Sequence, residues 1–161
     1  MGTTTDDTAW AGGPTVASDS NDPRQFPDLT LTIPARAENV AVVRHAVGGL
    51  GEALGLDEQL LSDVKLALTE ACTNSVVHAY ADGEGSVEVD AFVGGDQLVF
   101  VVRDEGHGIV PRPDSPGLGL GLPLIATLTD SLELGKNADD HTEVRMTFGL
   151  VSADTDGALP A

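Results

Sequence analysis

Leu98-Val-Phe-Val-Val-Arg-Asp-Glu-Gly-His-Gly108 is the stretch on which the reading of this chain turns. Its first five residues form an apolar run of the length and composition of a buried strand. Asp104 stands at the end of that strand, with Gly106 and Gly108 just beyond. An acid followed by two glycines lets backbone and carboxylate close around a ligand. Asp-x-Gly-x-Gly also makes ordinary tight turns, so its meaning depends on its neighbours. Upstream lies Glu70-Ala-Cys-Thr-Asn74 and downstream Gly117-Leu-Gly-Leu-Gly121; together the three read as a nucleotide pocket.

Working outward, the strand has a partner on its N-terminal side. Val87, Val89, Ala91 and Val93 alternate with Glu88, Asp90 and Phe92, a half-buried strand, and Gly94-Gly-Asp-Gln97 turns it back antiparallel. Earlier, Leu29-Thr-Leu-Thr-Ile33 is another strand, stopped by Pro34. Val40, Val43, Val47, Leu50 and Leu54 recur at helical spacing over about 37–54, with Gly48, Gly49 and Gly51 weakening the last turns. Asp57 is an N-cap for a longer helix over about 58–79, whose buried arc runs Leu60, Val64, Leu68, Ala71, Ser75, Ala79. Glu70 and Asn74 lie four apart, stacked on one face at the border of that arc, and His78 continues the row. A third helix begins at 117–121 and runs to Leu128, with Pro123 in its first turn. Strands over 131–134 and 143–148 close the chain around the turn 136–140. The order β-α-α-β-β-α-β-β, with hairpins and few crossovers, predicts an α+β two-layer sandwich: a mixed, largely antiparallel sheet with helices on one face.

Composition limits the partners. The 161 residues suffice for one domain, and 41% hydrophobic content supports a globular body. Residues 1–28, rich in Thr, Ser, Asp, Gly and Pro, read as a disordered lead; 29–150 form the domain; 151–161 are a flexible tail. Trp10 is read as an exposed aromatic in that lead. The net charge is −18, from 26 acidic against 8 basic residues. That argues against direct nucleic-acid binding, which needs a basic face. A bound polyanion must then be held mainly by backbone N–H groups and metal. Cys72, the single cysteine, excludes an internal disulfide and a Cys-based zinc site, and its place in a helical run makes it a core residue. His45, His78, His107 and His141 lack metal-ligand spacing. No stretch has membrane-spanning length, and the start, Met1-Gly-Thr-Thr-Thr-Asp-Asp, has neither the basic nor the apolar part of a signal peptide. A cytoplasmic protein without membrane attachment is expected.

The site residues carry a chemistry. Gly117-Leu-Gly-Leu-Gly121 before a helix offers free N–H groups and a positive dipole end to phosphates. It is not a Walker motif, since no Gly-Lys-Ser/Thr follows, nor a dinucleotide fingerprint, since it does not follow the first strand of a βαβ unit. Asn74 offers a neutral oxygen to Mg²⁺, which uses few protein ligands plus phosphate oxygens. Glu70 is placed to accept a proton from an attacking hydroxyl or water.

Glu70-Ala-Cys-Thr-Asn-Ser-Val-Val-His-Ala-Tyr80, Asp104-Glu-Gly-His-Gly108 and Gly117-Leu-Gly-Leu-Gly-Leu-Pro-Leu-Ile125 resemble the N, G1 and G2 boxes of the GHKL (Bergerat-fold) ATPases. The short chain, closed by Thr142-Glu-Val-Arg-Met-Thr-Phe148, is most similar to the anti-sigma-factor serine/threonine kinases among them. The resemblance spans about 29–149. It implies ATP and Mg²⁺ as cofactors, with Asn74 holding the metal. Asp104 would accept the adenine amino group, and Gly106 and Gly108 would admit the base. Gly119, Leu120, Gly121 and Leu122 would lie against the phosphates, and Thr142 would support the adenine. Glu70 would be the general base toward a Ser or Thr of a partner, and Arg44 would face protein partners. Those partners would be a sigma factor, held inactive, and an anti-anti-sigma (STAS-type) antagonist, phosphorylated; a homodimer is also implied.

The sequence departs from the family pattern in three places. His141-Thr142 replaces the usual Gly-Thr, Val77 stands where many members carry a base, and the segment between Gly108 and Gly117 is short and proline-rich, a stiffer lid. Two other readings stand beside the kinase. One is a non-catalytic, nucleotide-gated module acting by sequestration. The other is the ATPase half of a histidine kinase whose phosphoacceptor helices lie on a separate chain.

Overall fold

Alternation along one central strand sorts the molecule into two faces. The computed structural model describes residues 26–79, 85–106 and 121–150, the side chains of 78 and 79 excepted. Within them the elements are β1 (Leu29–Pro34), α1 (Val40–Leu54), α2 (Glu58–Asn74), β2 (Ser86–Gly94), β3 (Gln97–Asp104), α3 (Gly121–Leu128), β4 (Ser131–Lys136) and β5 (Thr142–Gly149). A 3₁₀ turn (Ala37–Asn39) leads into α1, and a π-helical turn (Ser75–Ala79) follows α2. In β3, Leu98, Phe100 and Val102 enter the core with Val43, Val47, Val64, Leu68 and Ile125 of the helices. Val99, Val101 and Arg103 alternate onto the opposite face, as the two-residue period of a strand requires.

The sheet runs β1-β2-β3-β5-β4, and all four pairings are antiparallel. The mixed sheet expected from the sequence is thus corrected to an antiparallel one among the described strands. Two helices between β1 and β2 bring the chain back reversed. The single helix α3 would leave β3 and β4 parallel, but β5 inserts between them and pairs antiparallel with both. The β2–β3 hairpin turns through Gly95, whose φ of 56° suits the first position of a two-residue turn.

The helices start and stop where local chemistry dictates. The Asp57 carboxylate accepts from the Leu60 N–H at 2.9 Å, the expected N-cap of α2, and such a cap contributes about 1 kcal/mol. In α1, the expected stripe holds for Val40, Val43 and Val47, while Leu54 remains 37% exposed. Gly51 takes the packing role instead: a Cβ there would fall 2.4 Å from a Leu61 methyl, so glycine sets the close approach of α1 and α2. The helix read as continuous to Ala79 changes after Asn74 into a π turn. Asp28, assigned by composition to the lead, donates its N–H to the Ala91 carbonyl and accepts from the Val93 N–H, so the β2 edge already holds it.

The outer face of the sheet is polar. Arg103 bonds Glu88 and Glu143, each at 3.0 Å, and Asp90, which also accepts from the Thr30 hydroxyl at 2.7 Å. Asp90 is therefore buried although alternation placed it on the solvent side. Cys72 is fully buried, as expected, and burial pushes its thiol up to about 12.

Candidate functional site

The end of β3, the end of α2 and the start of α3 converge at one edge of the helical layer. The register places Asp104 directly across from Thr142, the last pair of the β3–β5 ladder. Both are buried, Asp104 at 4% and Thr142 at 6% exposure. The Gly106 N–H donates to the Asp104 carboxylate at 3.0 Å, an Asx-type bond that shapes the chain leaving the strand. Burial raises the Asp104 pKa above the usual carboxylate value. The Ser75 hydroxyl, the Gly106 N–H, the Thr142 hydroxyl and the field of His141 oppose that shift. Thr142 Oγ1 itself closes no hydrogen bond of ordinary geometry, although it is buried. An unsatisfied buried hydroxyl costs about 1–3 kcal/mol, and a ligand that bonds it removes that cost. A buried carboxylate beside a free hydroxyl suits a planar ligand presenting an amino donor and a ring acceptor, as an aminopurine edge does.

Glu70 and Asn74 project from the last turns of α2 toward the first residue of α3. A Cβ on Gly121 would meet the Asn74 amide nitrogen at 3.2 Å, its oxygen at 3.3 Å and a Glu70 carboxylate oxygen at 3.4 Å. The amide and the carboxylate thus lie together against Gly121, as the four-residue spacing implied. Asn74 is buried and Glu70 half-buried, at the border of the helix's apolar arc. Leu122 packs on the core beside Ile125. Among the described residues no group of three or more His, Cys, Asp or Glu side chains gathers to hold a metal. A lone amide beside a carboxylate fits Mg²⁺, which draws most of its ligands from water and phosphate.

Sequence reasoning placed Glu70, Asn74, Asp104, Gly106, Gly121 and Thr142 in one site, and the fold brings them to one edge. Gly108, Gly119 and Leu120 lie outside the described residues, as do His107, Tyr80 and Trp10. Arg44 stands apart, lining a groove between α1 and α2. Ser75 was missed: it read as an arc residue, and only the tertiary packing brings its hydroxyl to Asp104. The π turn that begins at Ser75 lies beside this contact, a frequent placement for such turns at functional sites.

Residues 33–148 match the model of the histidine kinase-like ATPase domain. The serine-protein kinase RsbW of Halalkalibacterium halodurans is 34% identical over 146 residues, covering 81% of this chain and 88% of that protein. The enzyme of the same name from Bacillus mycoides is 32% identical over 125 residues, covering 68% and 78%. In fold, the chain is similar to the RsbU and RsbW domains of Rv1364c from Mycobacterium tuberculosis, with TM-score 0.57 and 23% identity over 76% of this chain and 32% of that one. It is also similar to the SiaB–SiaC complex from Pseudomonas aeruginosa, with TM-score 0.57 and 16% identity over 78% and 91%. The chain belongs to the histidine kinase-like ATPase family, and within it to the group of the RsbW serine-protein kinases.

Proposed function

We propose that the protein is an ATP-dependent serine/threonine kinase and anti-sigma regulator. It sequesters a sigma factor and phosphorylates a Ser or Thr of a STAS-type anti-anti-sigma protein. The observation that carries this reading is the meeting of Glu70 and Asn74 against Gly121, at the edge that also holds the buried Asp104–Thr142 pair. In this reading one pair selects the base and the other faces the reacting phosphate.

In this reading Asp104 accepts the adenine amino hydrogen and Thr142 bonds the ring edge, ending its unsatisfied state. Gly106 and Gly108 let the backbone approach the base. Gly119, Leu120, Gly121 and Leu122 cradle the phosphates with N–H groups at the start of α3. Asn74 would hold Mg²⁺, which supplies charge neutralisation at the phosphates when bound. Glu70 orients the partner's hydroxyl and takes its proton as that oxygen bonds the γ-phosphorus; the bond to the bridging oxygen breaks and ADP leaves. With only 8 Lys and Arg against 26 acids in the chain, positioning and backbone donors carry more of the catalysis than side-chain charge. Arg44 faces protein partners from α1.

The protein would act as a homodimer in the cytoplasm, where its partners meet the transcription machinery. No helix among the described residues is long and apolar enough to cross a membrane. Calorimetric titration of ATP, with and without Mg²⁺, into wild type and Glu70→Ala tests the division of labour. Equal binding with loss of transfer in the variant is expected; equal transfer removes Glu70 from the mechanism.

A further inference from the structure

One row of side chains crosses the end of the sheet that holds the site. Asp104 pairs with Thr142 in the β3–β5 ladder, and Thr142 pairs with Lys136 in the β4–β5 ladder. Residues directly opposite each other in antiparallel strands project to the same face. Thr142 shares its face of β5 with Val144, Met146 and Phe148, which lie in the core beneath the helices. Lys136 therefore belongs to the helix side, in line with the buried carboxylate and the buried hydroxyl. Two strand spacings of about 4.8 Å put its backbone roughly 10 Å from that of Asp104. The long lysine stem covers much of that span.

Charge sets Lys136 apart. The chain carries 26 acids against 8 Lys plus Arg. Of the cations on the described strands, Arg103 and Arg145 alternate onto the outer face, where Glu88, Asp90, Glu133 and Glu143 hold them. Lys136 is the strand cation on the other face, at the end where the site lies. Its ammonium bonds Asp140 at 2.8 Å, but the Lys136 side chain is 47% exposed and that of Asp140 82%. An ion pair so open to water contributes little. The turn nevertheless fixes this partner. The Asn137 side chain accepts from the N–H groups of Asp139 and His141, at 2.9 and 3.0 Å, and Asp140 sits at a φ of 64°. The ammonium is thus parked beside the site, free to exchange a weak partner for a stronger anion.

We infer that Lys136 is a further nucleotide-binding residue, whose ammonium leaves Asp140 for the phosphate chain of a nucleotide held by its base at Asp104. The first residue of α3 meets Asn74 and Glu70, and α3 packs against β4. A ligand stretched from Asp104 toward Gly121 therefore runs along the side of the pocket that Lys136 borders. A lysine serves such a ligand as a mobile point charge with three donors. The inference deepens the proposed function. It rests on the nucleotide reading of the Asp104–Thr142 pair and not on phosphoryl transfer.

The test uses the full chain and reads binding alone, by competition of ATP and adenosine against a fluorescent adenine nucleotide. Lys136→Met should weaken ATP about tenfold, as loss of a close charge pair does, and leave adenosine unchanged. Lys136→Gln, a polar replacement, should match it, with thermal unfolding confirming that each variant folds. Asp140→Asn, which frees the ammonium, should bind ATP at least as tightly as wild type. Arg145→Gln removes the same charge from the outer face and should bind ATP as wild type does. Equal ATP binding by wild type and both Lys136 variants overturns the inference alone. So does an equal loss for adenosine, an equal loss in Arg145→Gln, or weaker ATP binding by Asp140→Asn. A wild type that binds neither ATP nor adenosine overturns the nucleotide reading, and the inference with it.

Discussion

Asp104 and Thr142 face each other across the last pair of the β3–β5 ladder, both buried, one a carboxylate with a raised pKa and the other a hydroxyl that closes no hydrogen bond of ordinary geometry. A ligand that donates to the carboxylate needs it ionised. ATP affinity should therefore fall on acidification through the raised pKa, at a higher pH than it would for an ordinary aspartate. Asp104→Asn should flatten that dependence and weaken ATP by roughly tenfold to a hundredfold, the worth of a hydrogen bond to a charged group. Fluorescence titration of a labelled nucleotide across pH checks both.

The same group has the opposite effect on the ligand-free fold. Its folded pKa lies above its unfolded one, so its contribution to stability is present in full below the unfolded value and disappears as pH rises through the folded value. Relative to wild type, Asp104→Asn should gain stability as pH rises through that window. Denaturant titrations of both proteins at a series of pH values measure the difference.

Gly121 leaves no room for a methyl group without displacing Asn74 or Glu70. Gly121→Ala should lower phosphoryl transfer at least tenfold while the protein still folds, because the neighbours need shift only by tenths of an ångström and misplaced catalytic groups lose rate steeply. Transfer rate compared with thermal unfolding distinguishes this outcome from simple destabilisation.

On the outer sheet face, Arg103 is shared by Glu88, Asp90 and Glu143. Arg103→Met leaves the buried Asp90 carboxylate with only the Thr30 hydroxyl and should cost about 2 kcal/mol of stability. Adding Asp90→Asn should recover part of that loss, as urea unfolding of the single and double variants would show.

Cys72 is buried and its thiol is pushed up to about 12, so the reactive thiolate is nearly absent at neutral pH. A thiol reagent should label the native protein only through opening of the core and should label the urea-unfolded chain at once. Rapid labelling of the native state would contradict the packing described.

The strands and hairpins were legible where local pattern sufficed: Val87, Val89 and Ala91 of β2 enter the core as alternation placed them, and the apolar run 98–102 is a central strand. Glu70 and Asn74 were legible because a four-residue spacing puts two side chains on one helical face whatever surrounds them. What the pattern could not carry was tertiary. The antiparallel character of the whole sheet depends on β5 inserting between β3 and β4, which no local signal encodes. Asp90 looked exposed because its cover, Arg103, comes from the next strand. Ser75 and the glycines of α1 act through the elements they touch: Ser75 through Asp104, and Gly51 through Leu61.

Phosphoryl transfer to a protein hydroxyl at the Glu70 edge is the step on which the proposed function stands or falls. The direct measurement is γ-labelled ATP with Mg²⁺ in native lysate, wild type beside Glu70→Ala. One small labelled protein is expected, its label stable to acid and absent with the variant. An acid-labile label of phosphohistidine type, or no label while ATP still binds, would contradict it.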